Sequence, residues 1–294
     1  MSRALSIDLG GTNMRVAIVE EDGTISKRGT RRTPRDADRP DALIELAQQV
    51  LTGEVVDHAV IGLPGRIDHG AGQLEHAPNL PQTWAPLLSE RRLSDALGVS
   101  VRLANDADLA AVGETYFGAG KGHGDVVYLT MSTGVGAGVV IGGKILHGRR
   151  SLAEVGHCVI DIHAAARGEP ATFEALASGT ALARMAADAG VEGSGAEIVN
   201  LVRNGDAIAG QIWARLCEAA AVGIANLCFT FTPSIIVIGG GLGLTGDLLY
   251  DPIRAYLRRR GPPSLPEPIR IARAALGDDA GLIGAAGWPR ATGA

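Results

Sequence analysis

The segment Asp8-Leu9-Gly10-Gly11-Thr12-Asn13 has the residue types of a turn that holds phosphate. Gly10 and Gly11 lack a Cβ, so their backbone N–H groups can approach phosphate oxygens closely, and Thr12 and Asn13 add side-chain donors. Asp8 ends an apolar run and points at the same place, where it could hold Mg2+ directly or through water. Arg15, two residues past the turn, can reach the same phosphates. The plainer alternative is an ordinary hairpin whose Asp makes an Asx turn.

Later segments give this turn partners. Ser132-Thr133-Gly134 is a second small-residue turn, and two such turns can clamp one polyphosphate from opposite sides. Gly239-Gly240-Gly241-Leu242-Gly243 follows an apolar run and offers flat backbone to an adenine ring and ribose. It is not the dinucleotide fingerprint, because it lies late in the chain and lacks a following acidic strand end. Asn105-Asp106 stands between a strand-like and a helix-like run. An Asp there can take the proton of an attacking hydroxyl while Asn105 orients neighbouring hydroxyls. Helix capping competes as an explanation, since Asn and Asp are favoured N-caps, and Asp108 is a competing carboxylate. Glu154-Val155-Gly156-His157 lies in irregular chain, where an acid and an imidazole can bind hydroxyls.

The elements that must position these residues follow from apolar spacing. Strands are expected at Ala4–Leu9, Val16–Val19, near Thr24–Arg31, and at His58–Leu63 and Val99–Leu103. Helices are expected at Pro40–Leu51, Pro86–Leu97 and Ala107–Phe117, with Pro64–Trp84 a long loop. A second unit of strand, small-residue turn, strand and Gly turn begins at Val126–Met131 and returns through Val139–Ile141. This repeat of the first layout suggests a duplicated α/β architecture with a cleft between its halves. Arg149 to Pro170 reads as irregular. In Asp206–Thr230, Ile208, Ile212, Leu216, Ala219, Gly223 and Leu227 form a helical stripe. Ile235–Ile238 and Ile269–Ala272 read as strands, and helices follow from Gly246 and over Ala280–Trp288. The expected division is residues 1–106 completed by a C-terminal helix, 280–294, and residues 107–279.

Composition narrows the classes of function. With 294 residues the chain can build two domains, and its many Gly and Ala suit the close packing of layered α/β proteins. The net charge is −5, and the Arg clusters at 28–35 and 258–260 carry no interleaved aromatics, so nucleic acid is not an expected partner. Cys158, Cys217 and Cys228 are an odd number without paired spacing, which fits a reducing compartment. No basic n-region precedes an apolar stretch at the start, and the apolar run Leu227 to Leu244 carries Pro and Gly. The expectation is a soluble, cytoplasmic protein with no membrane partner.

These residues together resemble the ROK family (repressors, open reading frames and kinases). The resemblance is carried by Asp8-Leu-Gly-Gly-Thr-Asn13, Gly62-Leu-Pro-Gly-Arg66, Ala77-Pro-Asn-Leu80, Asn105-Asp-Ala-Asp108 through Gly113-Glu114, and Ser132-Thr-Gly-Val-Gly136. Glu154-Val-Gly-His157, Glu174-Ala-Leu-Ala-Ser-Gly179 and Gly239-Gly-Gly-Leu242 complete it. It implies the two-domain ribonuclease-H-like fold shared with actin, Hsp70-type chaperones and hexokinases. It also implies an ATP-dependent sugar kinase, glucokinase-like, with glucose and its 6-hydroxyl as the first acceptor and a homodimer as the common assembly. N-acetylmannosamine, another hexose, kanosamine or another amino sugar, and a C7-cyclitol are the alternatives, and a polyphosphate donor occurs within the family. By the resemblance Asp106 is the general base. Asn105, Glu154, His157, Glu174 and the Gly65-Arg66 backbone hold the sugar, with Asn79 nearby. Gly11, Thr12, Asn13, Thr133 and Gly134 hold phosphates, and Gly240, Gly241 and Leu242 the adenosine. The family also contains sugar-responsive repressors with a helix-turn-helix ahead of the first phosphate turn; with the turn at Asp8, that class is not the expected one here.

One departure stands out. The family commonly has a Cys-x-Cys-Gly-x-x-Gly-Cys-x-Glu run that binds structural zinc together with the His of Glu-x-Gly-His. Ala165, Arg167 and Thr172 occupy the cysteine positions here, and only Gly168 and Glu174 remain. A tetrahedral zinc site needs about four ligands, so no zinc site is expected in this protein, and the loop must be ordered by other packing.

Overall fold

Two runs of strand-forming sequence lead the two halves of the chain, and in the computed structural model each opens a five-stranded sheet. The structure describes residues 2–36, 39–77, 79–150, 154–260 and 269–293. Pro78, within the Ala77–Leu80 segment, lies outside them, and so does the stretch between 260 and 269.

The first sheet begins as an antiparallel meander of β1 (Arg3–Leu9), β2 (Asn13–Glu20) and β3 (Ile25–Arg32). Helix α1 (Asp41–Leu51) buries Leu43, Leu46, Ala47 and Val50 and returns the chain to β4 (His58–Leu63), which pairs parallel with β1. The segment 64–84, expected as a loop, contains a small hairpin of β5 (Arg66–Asp68) and β6 (Gln73–His76). Its strands are three and four residues long, too short for alternation to reveal them. Helix α2 (Glu90–Leu97) starts later than the expected Pro86, because Pro86 lies in a 3-10 turn and Ser89 caps the helix. Strand β7 (Val101–Asn105) closes the sheet in the order β3-β2-β1-β4-β7, and α3 (Asp106–Phe117) follows.

The second half repeats this plan. Strands β8 (Val126–Met131), β9 (Val135–Ile141) and β10 (Lys144–Ile145) precede helices α4 (Ile162–Ala166), α5 (Phe173–Ala177), α6 (Gly179–Asp188), α7 (Gly195–Arg203) and α8 (Ala207–Phe231). Then come β11 (Ile235–Gly239), α9 (Gly240–Gly243), α10 (Asp247–Arg260), β12 (Arg270–Arg273) and α11 (Ala280–Thr292). The sheet order is β10-β9-β8-β11-β12, with β11 parallel to both β8 and β12. Two sheets, each a three-strand meander extended by two parallel strands, are the ribonuclease-H-like arrangement. Residues 149–170, expected to be irregular throughout, include α4.

Helix α8 is long and apolar enough to cross a membrane by length and composition alone. Its face of Ile212, Trp213, Leu216, Cys217, Ala220 and Ile224 is buried, as in a core helix, and α5, α6, α7 and α10 pack on it. Ile208, expected on that stripe, is exposed at the first turn.

The chain divides into two compact units. The first holds Met1–Gly124, Gly138–Leu152 and Ala275–Ala294; the second holds Asp125–Ala137 and Ala153–Ala274. The boundary expected at 106 differs from this division, in which α3 groups with the first unit. Small residues explain this. Gly113 faces the Ala280 carbonyl and Gly284 the Leu109 carbonyl, so any Cβ there would collide and α3 and α11 approach closely.

Candidate active site

In the first unit the Gly10–Asn13 turn is held by its own backbone and by the end of β3. Gly10 N–H donates to the Asn13 carbonyl at 3.0 Å, and Thr33 N–H to the Thr12 carbonyl at 2.9 Å. Thr33 Oγ1 donates to the Gly10 carbonyl at 2.6 Å, and Arg35 Nε to the Gly11 carbonyl at 2.9 Å. Thr12 and Asn13 are exposed and can meet a ligand. A Cβ on Gly11 would stand 2.8 Å from the Asn79 carbonyl oxygen, so the turn and the Asn79 segment touch. Thr33 and Arg35 are not among the residues expected at the turn, since only the register of β2 with β3 brings them there.

Asp8 and Arg15 face each other across the β1–β2 pair, and both Nε and Nη2 of Arg15 donate to Asp8 Oδ2. Arg15, expected at phosphate, and Asp8, expected at Mg2+, are each other's partners here. Asp279, ahead of α11, takes a 2.7 Å hydrogen bond from Arg28 and lies 4.0 Å from Arg15 Nη1, which extends the charge chain.

Asn105 ends β7 and caps α3, its Oδ1 accepting from Ala107 N–H at 2.9 Å. Its Nδ2 donates to the Gly65 carbonyl at 3.1 Å, so the capping residue also fixes the Gly65-Arg66 segment. The expected capping role of Asn105 is therefore seen directly. Asp106 is exposed at the head of a helix whose next residues are buried, and its Oδ1 accepts from Ala107 N–H at 2.8 Å. Gly65 has φ +98°, a conformation that favours glycine, and a Cβ there would strike the His76 carbonyl. Arg66 turns to Glu75, which also takes two hydrogen bonds from Arg150. Arg150 first and Arg66 second hold the Glu75 carboxyl below the usual carboxylate range.

In the second unit the turn Ser132–Gly134 is fixed from below by α6, with Gly179 N–H donating to the Ser132 carbonyl and Thr180 Oγ1 to the Thr133 carbonyl, each at 2.6 Å. Glu174 Oε2 accepts from Val135 N–H at 2.8 Å and fills the space where a Gly134 side chain would be. A Cβ on Gly156 would collide with the Val135 carbonyl, so the Glu154–His157 turn packs on the same strand start. Glu154 and His157 are exposed, with Oε2 and Nε2 3.9 Å apart. The structure therefore gathers Thr133, Gly134, Glu174 and the Glu154–His157 turn into one place.

The glycine run after β11 bends sharply. Gly240 has φ +76° and packs on the Met131 backbone, whereas a Cβ on Gly241 would meet nothing within 4 Å. The Leu242 side chain is buried, so only its backbone can face a nucleotide.

The segment that carries Glu174 is ordered by caps and a buried ring. Asp161 Oδ1 accepts from His163 N–H at 3.0 Å and Ala164 N–H at 2.9 Å, which caps α4. Those backbone bonds, Ala164 first, hold the Asp161 carboxyl below the usual carboxylate range. Phe173 N–H donates to the Cys158 carbonyl, Ile160 N–H to the Ala171 carbonyl, and Thr172 Oγ1 caps α5. Phe173 is 1% exposed, in the space that Gly223 of α8 leaves open. At the former cysteine positions, Arg167 pairs with Glu169 and Thr172 supplies a cap.

A sequence model described as the ROK family matches residues 4–291. The glucokinase of Thermotoga maritima is 34% identical, over 97% of this chain and 96% of its own. The crystal structure of a ROK hexokinase from Thermus thermophilus superposes with a TM-score of 0.83 at 31% identity, over 97% of this chain and 96% of that one. A ROK family glucokinase from Streptomyces griseus, solved in complex with glucose and AMPPNP, has a TM-score of 0.76 at 30% identity, over 97% and 98%.

Proposed function

Because the chain belongs to the ROK family, we propose that it is an ATP-dependent carbohydrate kinase that transfers the γ-phosphoryl group to a primary hydroxyl of a hexose, glucose at its 6-hydroxyl first. The carrying observation is Asp106, an exposed carboxylate fixed at the head of α3 beside an Asn105 that is tied to Gly65. The relatives named glucokinase and hexokinase, one solved with glucose and AMPPNP, support the same reading.

In the proposed reaction Asp106 takes the hydroxyl proton as the sugar oxygen bonds to the γ-phosphorus. The bond from that phosphorus to the bridging oxygen breaks, and ADP leaves. Positioning and charge stabilisation supply most of such catalysis. By the family resemblance, Asn105, Asn79, the Gly65-Arg66 backbone, Glu154, His157 and Glu174 are assigned to the sugar. Gly10, Gly11, Thr12, Asn13, Thr133 and Gly134 hold phosphates, and Gly240, Gly241 and the Leu242 backbone the adenosine. Arg15 acts on the phosphates by fixing Asp8.

Asp8 fits Mg2+ as an outer partner. Its carboxylate already carries Arg15 on one oxygen, and Mg2+ keeps several waters and takes one or two carboxylates besides phosphate oxygens. When bound with the nucleotide, Mg2+ would screen the phosphate charge. A cytoplasmic homodimer is the proposed form, on the strength of the family resemblance.

The acceptor has a second reading. The segment that carries Glu174 is built without the family's cysteine run, which keeps N-acetylmannosamine, kanosamine and other amino sugars, and C7-cyclitols, in view. A coupled ADP-release assay across these and the common hexoses decides. Glucose should give the highest kcat/KM; a higher value for another acceptor reassigns the substrate. No ADP release with any sugar would leave a non-catalytic sugar-responsive regulator.

A further inference from the structure

One cluster of titratable side chains in the first unit lies outside the groups assigned to sugar, phosphate and adenosine. His69, in the turn after β5, and His147, in the segment after β10, stack with ring centroids 4.3 Å apart and planes 10° from parallel. Asp108 on α3 is 1% exposed, and its Oδ2 lies 3.8 Å from His147 Nε2. The Nε2 atoms of both imidazoles are buried and make no hydrogen bond. Trp288 of α11 lies beside His147, ring centroids 5.5 Å apart. One donor atom from each of His69, Asp108 and His147 can be chosen so that all lie within 4.8 Å of one another. Buried polar atoms normally have a partner, and two such nitrogens beside a buried carboxylate point to a ligand that accepts all three.

We propose that His69, Asp108 and His147 form a binding site for a divalent cation of the zinc type, with water completing its shell. Two imidazole nitrogens and one carboxylate oxygen are a donor set that such ions take. Burial lowers the proton affinity of both imidazoles, to a pKa of about 4 for His147, so both are neutral and able to ligate near pH 7. With bonds of about 2.0–2.1 Å, tetrahedral donors stand about 3.3 Å apart. The rings must therefore turn out of their stack and draw in by roughly 1 Å. Both histidines lie outside helices, in segments where side-chain rotation does not disturb a helical face.

The three donors come from three separate parts of one unit. A bound ion would tie the β5–β6 hairpin and the 146–150 segment to α3, two residues beyond Asp106. It would not replace the family's cysteine site, whose positions 165–172 lie in the other unit. Cation binding here does not depend on the phosphoryl-transfer reading.

The test titrates chelator-stripped, full-length protein with Zn2+ by calorimetry and with Co2+ by visible spectroscopy. One ion per chain is expected, with a four-coordinate nitrogen and oxygen spectrum for Co2+ and no thiolate charge-transfer band. His69→Gln and His147→Gln should each weaken binding by about 100-fold or more, beyond the 10–100-fold typical of outer-shell changes. His163→Gln and Cys158→Ser should leave it unchanged. Absence of a stoichiometric site, or a site that survives both histidine substitutions, overturns the proposal. Should either variant fold poorly by circular dichroism, imidazole NMR of the wild-type protein decides. Zn2+ must shift the signals of His69 and His147, and shifts confined to other histidines overturn the site.

Discussion

At the residue scale, Glu174 does more than its sequence position suggests. Besides its proposed contact with sugar, its carboxylate accepts from Val135 N–H and fills the space beside Gly134. Removing it leaves a partly buried N–H without its partner, a loss of about 1–3 kcal/mol. Glu174→Ala should therefore raise KM for ATP as well as for the sugar, each about tenfold, in steady-state assays. A change in sugar KM alone would mean that the carboxylate does not brace the turn. The Asp8–Asn13 turn was legible because its chemistry is local to six residues. The pairing of Arg15 with Asp8 was not, because it depends on the register of two strands. The meeting of His69, Asp108 and His147 was equally hidden, the three being far apart in sequence and joined only by the fold.

At the scale of elements, the loop without cysteines is the part that sequence described least. What was legible there was only the loss of three ligands; helix caps at Asp161 and Thr172 and the ring of Phe173 take over the ordering. Thr172→Ala should cost about 1 kcal/mol through the lost cap of α5. A Cβ at Gly223 would stand 2.6 Å from the Phe173 ring, so Gly223→Ala overpacks this place. It should lower stability by about 1–3 kcal/mol in denaturant unfolding and raise sugar KM, because Glu174 adjoins Phe173. Unchanged stability would show that α8 does not seat the loop. The cap at Asp161 adds a pH dependence. Its folded pKa is depressed, so its contribution is present above the ordinary Asp value and is lost as pH falls through the lower, folded value. Proteolysis of residues 158–174 should accordingly increase only on acidification below about pH 4, and Asp161→Asn should flatten that profile.

At the scale of the molecule, the repeated sheet order is what the sequence hinted at through its two hairpin-led halves. Strands β1, β4, β8 and β11 were legible because their apolar runs are continuous or nearly so, whereas β5, β6 and β10 are too short to show. The unit boundaries were not legible, because small residues let α3 and α11 pack closely. Glu114 on α3 is fully buried, and its carboxylate accepts from Ala119, Ala275 and Leu276 N–H groups at 2.8–3.1 Å. These donors lie near the chain's exit from the first unit and at its return to it. Glu114→Gln should lower stability by about 1–3 kcal/mol, seen as a reduced Tm, since an amide nitrogen cannot accept from backbone N–H.

The central claim, a sugar kinase with Asp106 as base, is tested most directly by one paired measurement on Asp106→Asn: ADP release with glucose and ATP, and glucose binding by calorimetry. Loss of the base should cut turnover by about 10²–10⁴-fold while glucose affinity stays within a few-fold of wild type. Turnover comparable to the wild type would contradict the assignment of the base, and absence of glucose-dependent ADP release by the wild-type protein would contradict glucose as acceptor.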